Sequence, residues 1–146
     1  MDQRLKIAEV FPEAYKGMYA LRDSLNKPGL TPIQKELIKI RASQINQCAF
    51  CLNMHTRDAL KIGETQQRIF LLNAWRETDL FTEEEKALLA LTEEVTLINK
   101  HGVSDATYNE AKKFFSEEVI AQIIMSTVLI NSWNRIAVST HTPIEK

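Results

Sequence analysis

Apolar residues recur three and four positions apart along most of the chain, and no stretch alternates with a period of two. That spacing predicts helices and no sheet. The clearest segment lies between 82 and 102. Thr82-Glu83-Glu84-Glu85 reads as a capping box, a threonine with a glutamate three residues on. Leu88, Leu91, Val95 and Ile98 then share one face, and His101-Gly102 marks the stop. Upstream, one helix is expected from about Pro12 to Asn26, ending at Lys27-Pro28-Gly29. A second opens at Thr31, with Pro32 at its first position, and runs to about Ile45. Asn46 and Gln47 make a short break. A third runs from about Cys48 to Ile62, with Gly63 suited to the C′ position. A fourth starts near Thr65 and carries Ile69, Leu72 and Trp75. Ser104 caps a short helix to about Phe115, and Ser116 opens the last, to about Val138. The pattern therefore predicts an all-α domain of about six to seven helices over residues 1–146.

The last helix changes this picture. Val119-Ile120, Ile123-Ile124 and Val128 to Ile130 leave it little polar surface, as expected of a helix buried in a core or between subunits. A homo-oligomer is expected, with this helix and Trp133 at or near the contact. Asn131, Asn134 and Arg135 interrupt the apolar surface, and their burial would require partners, expected at a subunit contact. Trp75 and Trp133 read as core or interface aromatics.

A length of 146 residues is enough for a sizeable core without staples. The net charge of −1 supplies no field that selects nucleic acid or an anionic membrane, so neither is an expected partner. The Val119–Ile130 run is too short to span a bilayer, and no secretory leader is seen, so the expected location is cytoplasmic. In a reducing compartment a pair of cysteines points to catalysis, redox sensing or metal binding rather than a structural staple.

That pair is Cys48-Ala49-Phe50-Cys51, followed by His55. Helix positions three and four apart share a face, so Cys48, Cys51, His55, Ala59 and Ile62 form one stripe. Cys48 stands at or near the helix N-terminus, where free N–H groups and the helix dipole favour a thiolate. Cys51 lies a turn deeper, but His55 four residues on can take its proton. Glu36, in line with Ile33, Ile40 and Ser43, can approach His55 if the two helices pack antiparallel, and a desolvated carboxylate there can orient the imidazole or accept its proton. Plainer readings stand beside these. The cysteines could be two small core residues, His55 a core histidine and Glu36 a surface ion-pairing residue. Cys48, Cys51, His55 and Glu36 could also ligate zinc, although structural zinc usually draws on separate elements. The expectation taken forward is a redox pair with no metal and no cofactor.

At these residues the chain resembles the carboxymuconolactone decarboxylase superfamily, in its AhpD-like alkylhydroperoxidase branch. The carrying segments are Glu36-Leu37, Ser43 through the CxxC to His55, Ala59 to Gly63, Trp75-Arg76-Glu77, Phe81 to Thr96 and Asn131 to Arg135. The resemblance implies an all-helical fold, homo-oligomers, and a peroxidase or disulfide reductase that needs an external dithiol. It also implies that Cys51 meets the peroxide, Cys48 resolves it, and His55 and Glu36 relay protons. A departure is Phe50, where the best-studied branch has a further histidine, so the relay rests on His55 and Glu36. Other expectations are a non-enzymatic redox sensor, a subunit that gates a partner, or a lactone decarboxylase, though that last branch does not depend on a CxxC pair.

Two effects compete over which sulfur reacts. The dipole at an exposed helix end is worth ~0.3–1 kcal/mol and favours Cys48. A positioned base contributes roughly 10²–10⁴-fold to a rate and favours Cys51, so the base is expected to decide. Cys48, expected to be the more exposed, then suits attack by a reductant.

Overall fold

Two capping boxes anchor the helices that form the centre of the molecule. Thr31 and Gln34 make one and Thr82 and Glu85 the other, each with both reciprocal hydrogen bonds. They are tied together, because Gln34 donates from Nε2 to Glu84 Oε1 at 3.0 Å. The computed structural model describes residues 2–144. In chain order the α-helices are α1 (Ile7–Val10), α2 (Pro12–Ser24), α3 (Pro32–Ile45), α4 (Ala49–Lys61), α5 (Gln66–Leu71), α6 (Glu83–Thr96), α7 (Ile98–His101), α8 (Asp105–Phe114) and α9 (Glu117–Thr140). A 3₁₀ segment, Leu72–Glu77, follows α5. No strand is present among the described residues, and no helix there is long and apolar enough to cross a membrane.

The all-α expectation holds, but the described residues contain nine α-helices rather than six to seven. Two changes account for the count. The four residues of α1 bury nothing, so no apolar period announces them. The helix expected to run from Thr82 to His101 breaks at Leu97 (φ −96°, ψ 35°), just after the β-branched pair Val95-Thr96, and resumes as α7. Gly63 closes α4 as expected. It has φ +99°, its N–H donates to Leu60 O, and the Glu64 N–H donates to Ala59 O, the Schellman pattern.

α3 is the central element and packs against α4, α6 and α9. Leu37, Ile38 and Ile40 of α3 share one core with Leu88, Leu89 and Leu91 of α6 and Ile120 and Ile123 of α9. Loss of one such leucine to alanine typically costs ~2–5 kcal/mol. The last helix is not wholly covered: Met125 and Val128 are exposed. Trp133 is half-buried within its own chain, its ring 5.2 Å from Tyr15 and 5.9 Å from Tyr19 of α2.

A buried carboxylate ties the periphery to this core. Glu93 of α6 accepts from Trp75 Nε1 at 2.8 Å, Arg41 Nε at 2.7 Å and Arg76 Nη1 at 2.5 Å. Burial pushes its carboxyl pKa up, but these donors outweigh burial and hold it below the usual carboxylate range. A folded-state pKa below the unfolded ~4.3 gives stability that is present above that value and lost as pH falls through the folded one. Replacing Glu93 by Gln should therefore destabilise the fold by about 1–3 kcal/mol at neutral pH. It should also flatten the acid limb of a urea-midpoint-versus-pH curve. An unchanged acid limb in Glu93→Gln would show that this carboxylate does not couple folding to pH.

Candidate functional site

The site is built on the turn between α3 and α4. α3 is capped at its C-terminus by Asn46, and Gln47 takes a left-handed backbone with φ 55°. Cys48 is then the N-cap of α4. Its N–H donates to Ser43 O at 3.0 Å, and its Sγ accepts from the Cys51 N–H at 3.4 Å. In α3, α5, α6, α8 and α9 the same position is filled by a threonine or serine oxygen. A neutral thiol accepts weakly, whereas a thiolate facing the first turn of a helix is favoured by its N–H groups and dipole.

Both thiols are free and each is 1% exposed. The expectation that Cys48 would be the more exposed is not met: a cap lies at the end of its own helix, but this one is covered by the core. A hydrogen bond from Cys51 is the main influence pulling the Cys48 thiol down, to about 7, against burial and with help from the Asn134 amide. The same bond pushes Cys51 up, and burial adds to that. The pair therefore shares one proton readily lost and one tightly held. His55 is not among the main causes of either shift.

His55 is instead engaged with α3. Its Nδ1 lies 2.9 Å from Glu36 Oε2, and Glu36 Oε1 accepts from Lys39 Nζ at 2.6 Å. Burial pushes Glu36 up, but its bonds with His55 and Lys39 prevail and hold the carboxyl below its ordinary value. An ionised carboxylate only accepts, so Nδ1 carries the proton and Nε2 is the basic nitrogen. Cys51, His55 and Ala59 form the buried stripe, whereas Ile62 is exposed because it caps the helix after its last turn. All four expected residues thus lie on the α3–α4 pair. The described residues contain no cluster of three or more His, Cys, Asp or Glu side chains arranged to hold a metal ion.

Sequence reasoning gave no role in the site to three neighbours. Lys39 follows Glu36 by one turn and neutralises it. Ser43 joins Cys48 to Asn134, which donates from Nδ2 to the Ser43 Oγ at 2.9 Å. Asn134 itself is 1% exposed. The polar patch of α9 finds its partners inside the chain rather than at a subunit contact, since Asn46 Nδ2 donates to both Asn131 Oδ1 and Asn134 Oδ1 at 2.9 Å. The available signal was the spacing of Asn131, Asn134 and Arg135 on an apolar helix. A groove of about 210 Å3 runs along the outer face of α4 between Phe50 and Lys61, and neither cysteine lines it.

Residues 12–94 match the model of the carboxymuconolactone decarboxylase family. The chain is 43% identical over 139 residues to the uncharacterized protein YdfG of Bacillus subtilis, covering 95% of each. It also matches the crystal structure of a protein of unknown function from Agrobacterium tumefaciens that has been suggested to be the antioxidant defence protein AhpD. There the TM-score is 0.95 at 38% identity, over 99% of both chains. An alkylhydroperoxidase AhpD core from Ralstonia eutropha, a peroxidase-related protein, shares the fold at TM-score 0.83 and 20% identity, with 95% of this chain and 74% of that one covered.

Ultraviolet thiolate absorbance followed against pH should show one transition near 7 in the wild type. Removing the hydrogen-bond donor in Cys51→Ala should move the Cys48 transition up toward the free-thiol value of ~8.5. A transition that stays put in Cys51→Ala but moves in His55→Ala would assign the effect to the imidazole instead.

Proposed function

The chain belongs to the carboxymuconolactone decarboxylase family, in its AhpD-like branch, and from that premise we propose that it is a thiol-dependent peroxidase or disulfide oxidoreductase. The observation that carries this reading is the placement of the Cys48–Cys51 pair: Cys48 Sγ caps the N-terminus of α4 and accepts from the Cys51 N–H, with the second sulfur one turn on and His55 a turn beyond it, and this arrangement pulls the Cys48 thiol down toward neutral pH while Cys51 keeps its proton. A thiolate is the nucleophile in both reactions, and a neighbouring thiol is what turns the oxidised product into a disulfide.

In the proposed cycle a thiolate attacks the terminal oxygen of a peroxide. The O–O bond breaks, the alcohol leaves after taking a proton, and the sulfur becomes a sulfenic acid. The second cysteine, as thiolate, displaces hydroxide, which leaves as water once protonated, and the disulfide forms. An external dithiol then restores both thiols through a mixed disulfide. In sum, one peroxide and one dithiol give one alcohol, one water and one disulfide. The order implied by the family resemblance has Cys51 attack and Cys48 resolve. The resting charge on Cys48 does not preclude it, because passing the proton from Cys51 to Cys48 along their hydrogen bond hands the charge to Cys51. That places the attacking sulfur one turn from His55, whose Nε2 can carry the proton the leaving alkoxide needs while Glu36 steadies Nδ1. Phe50 packs against the core beside the pair and moves no proton. The burial of both sulfurs favours a small peroxide over a bulky one.

The same reading includes a homo-oligomer in a reducing, cytoplasmic setting. The oligomer is supported by α2, none of whose residues is fully buried, and by exposed Val10, Phe11, Phe70 and Ile98. Peroxide-dependent oxidation of a dithiol is the test. The wild type should turn over, and both Cys48→Ser and Cys51→Ser should lose turnover. Cys48→Ser should leave a trappable sulfenic acid on Cys51, and His55→Ala should slow the wild-type reaction by roughly 10²-fold or more. One round of oxidation without turnover would identify a redox sensor. Activity on a lactone that survives loss of both cysteines would point to decarboxylation.

A further inference from the structure

At the break between α6 and α7 a pocket of about 180 Å3 faces the middle of α9. Val95, Ile98 and Val128 give it apolar walls, and Arg135, Asn131 and Thr96 supply polar groups. The guanidinium of Arg135 is pinned through one nitrogen. Nη1 donates to the Asn131 carbonyl and to Asn131 Oδ1, both at 2.9 Å, so both of its N–H groups are spent. Asn131 cannot turn away, because its Nδ2 donates to Thr127 O at 2.8 Å and to Thr96 Oγ1 at 3.1 Å. The remaining donors of Arg135, on Nε and Nη2, have no acceptor among the described residues, and no carboxylate there pairs with it. Thr96 holds a second unspent donor, although it is only 6% exposed. Thr56, Thr92, Thr127 and Thr140 each give the hydroxyl proton to the carbonyl four residues back. Thr96 does not. Its Oγ1 accepts from Asn131, and an amide N–H only donates, so the hydroxyl proton has no acceptor among the described residues.

We propose that this pocket is a binding site for a small apolar monocarboxylate. The carboxylate takes the Nε–Nη2 edge of Arg135, whose parallel N–H groups match the two oxygens of a carboxylate. One of those oxygens also accepts the Thr96 hydroxyl proton. The apolar part of the ligand lies against Val95, Ile98 and Val128. Charge sets the sign of the ligand, since no acidic side chain lines the pocket among the described residues. Volume sets the size of its apolar part: a cavity of ~150 Å3 takes a molecule as large as benzene. The anchor on Asn131 favours binding, because an arginine already held in place loses less side-chain freedom when the ligand arrives. Ser132 also lines the pocket, but its hydroxyl is committed to Val128 O. Cys48, Cys51, His55 and Glu36 do not line it, so the proposal goes beyond the redox reading and does not rest on it.

Benzoate is the probe, titrated into the intact protein at constant ionic strength and followed by backbone amide chemical shifts. Saturable shifts should fall on Thr96, Ile98, Val128 and Arg135. Acetate, which lacks the ring, and benzamide, which lacks the charge, should each bind about tenfold more weakly or worse. Arg135 is exposed, so its replacement should leave the fold intact. Arg135→Gln should weaken benzoate binding by about tenfold or more. Arg135→Lys keeps a charge without the fork and should recover only part of that loss. Thr96→Val, close in shape, removes the hydroxyl and should weaken binding several-fold. If Arg135→Gln does not fold, Thr96→Val and the comparison of the three ligands on the wild type decide the matter. Absence of benzoate shifts at these residues, acetate or benzamide matching benzoate, or a folded Arg135→Gln that binds like the wild type would each overturn the proposal. Shifts at the same residues that follow protein concentration and that benzoate does not displace would assign the pocket to a second copy of the chain, and would overturn it too. Peroxide turnover is not among the readouts. A protein that turns over no peroxide yet binds benzoate as described would refute the peroxidase reading and leave this site standing.

Discussion

Between the last turn of α3 and the first turn of α4 the chain has only three residues, and a left-handed Gln47 in the middle of them sets where α4 begins. A non-glycine residue in that conformation costs roughly 1–2 kcal/mol. Hydrogen bonds on either side offset it: the Asn46 side chain donates twice to α9, and the Cys48 N–H closes on Ser43 O. The consequence is a helix that starts on a sulfur. Because α4 then runs back along α3, Glu36 meets His55 across 19 positions of sequence. A longer connection would release both results, since neither the cap nor the carboxylate–imidazole pair survives a change in the start of α4.

The electrostatics of the site follow from burial. The charged or chargeable groups there are largely withdrawn from water and answered by specific partners: Glu36 by Lys39 and His55, and the thiols by one another. In a medium less polar than water such hydrogen bonds are stronger, and an unanswered group is more costly. The same logic operates away from the site, at Glu93 with its three donors and at Arg68. Arg68 is held by Glu64 and Glu85, bonded to Leu80 O, and stacked over the Phe81 ring at 4.5 Å. Those clusters fix helices, whereas the cluster around Cys48 keeps a group poised to change charge.

Much of this was legible in the order of residues. Local signals act over three or four positions, so the capping boxes at Thr31 and Thr82, the Gly63 stop, the α3–α4 break and the stripe of Cys51, His55 and Ala59 could be read directly. The proximity of Glu36 to His55 was also accessible, because a two-residue break forces neighbouring helices together. What the sequence could not decide was the answer to each buried polar group. The depth of Cys48, the internal partners of Asn131 and Asn134, and the closure of Trp133 onto Tyr15 and Tyr19 depend on segments about 50 to 120 residues apart. The balance between the sulfurs belongs only partly with them. Helix position, a histidine four residues on and the Cys48–Cys51 hydrogen bond that chiefly sets the protonation of the pair are local facts, but the burial that opposes ionisation of both thiols is not, and it depends on how α3, α4 and α9 pack.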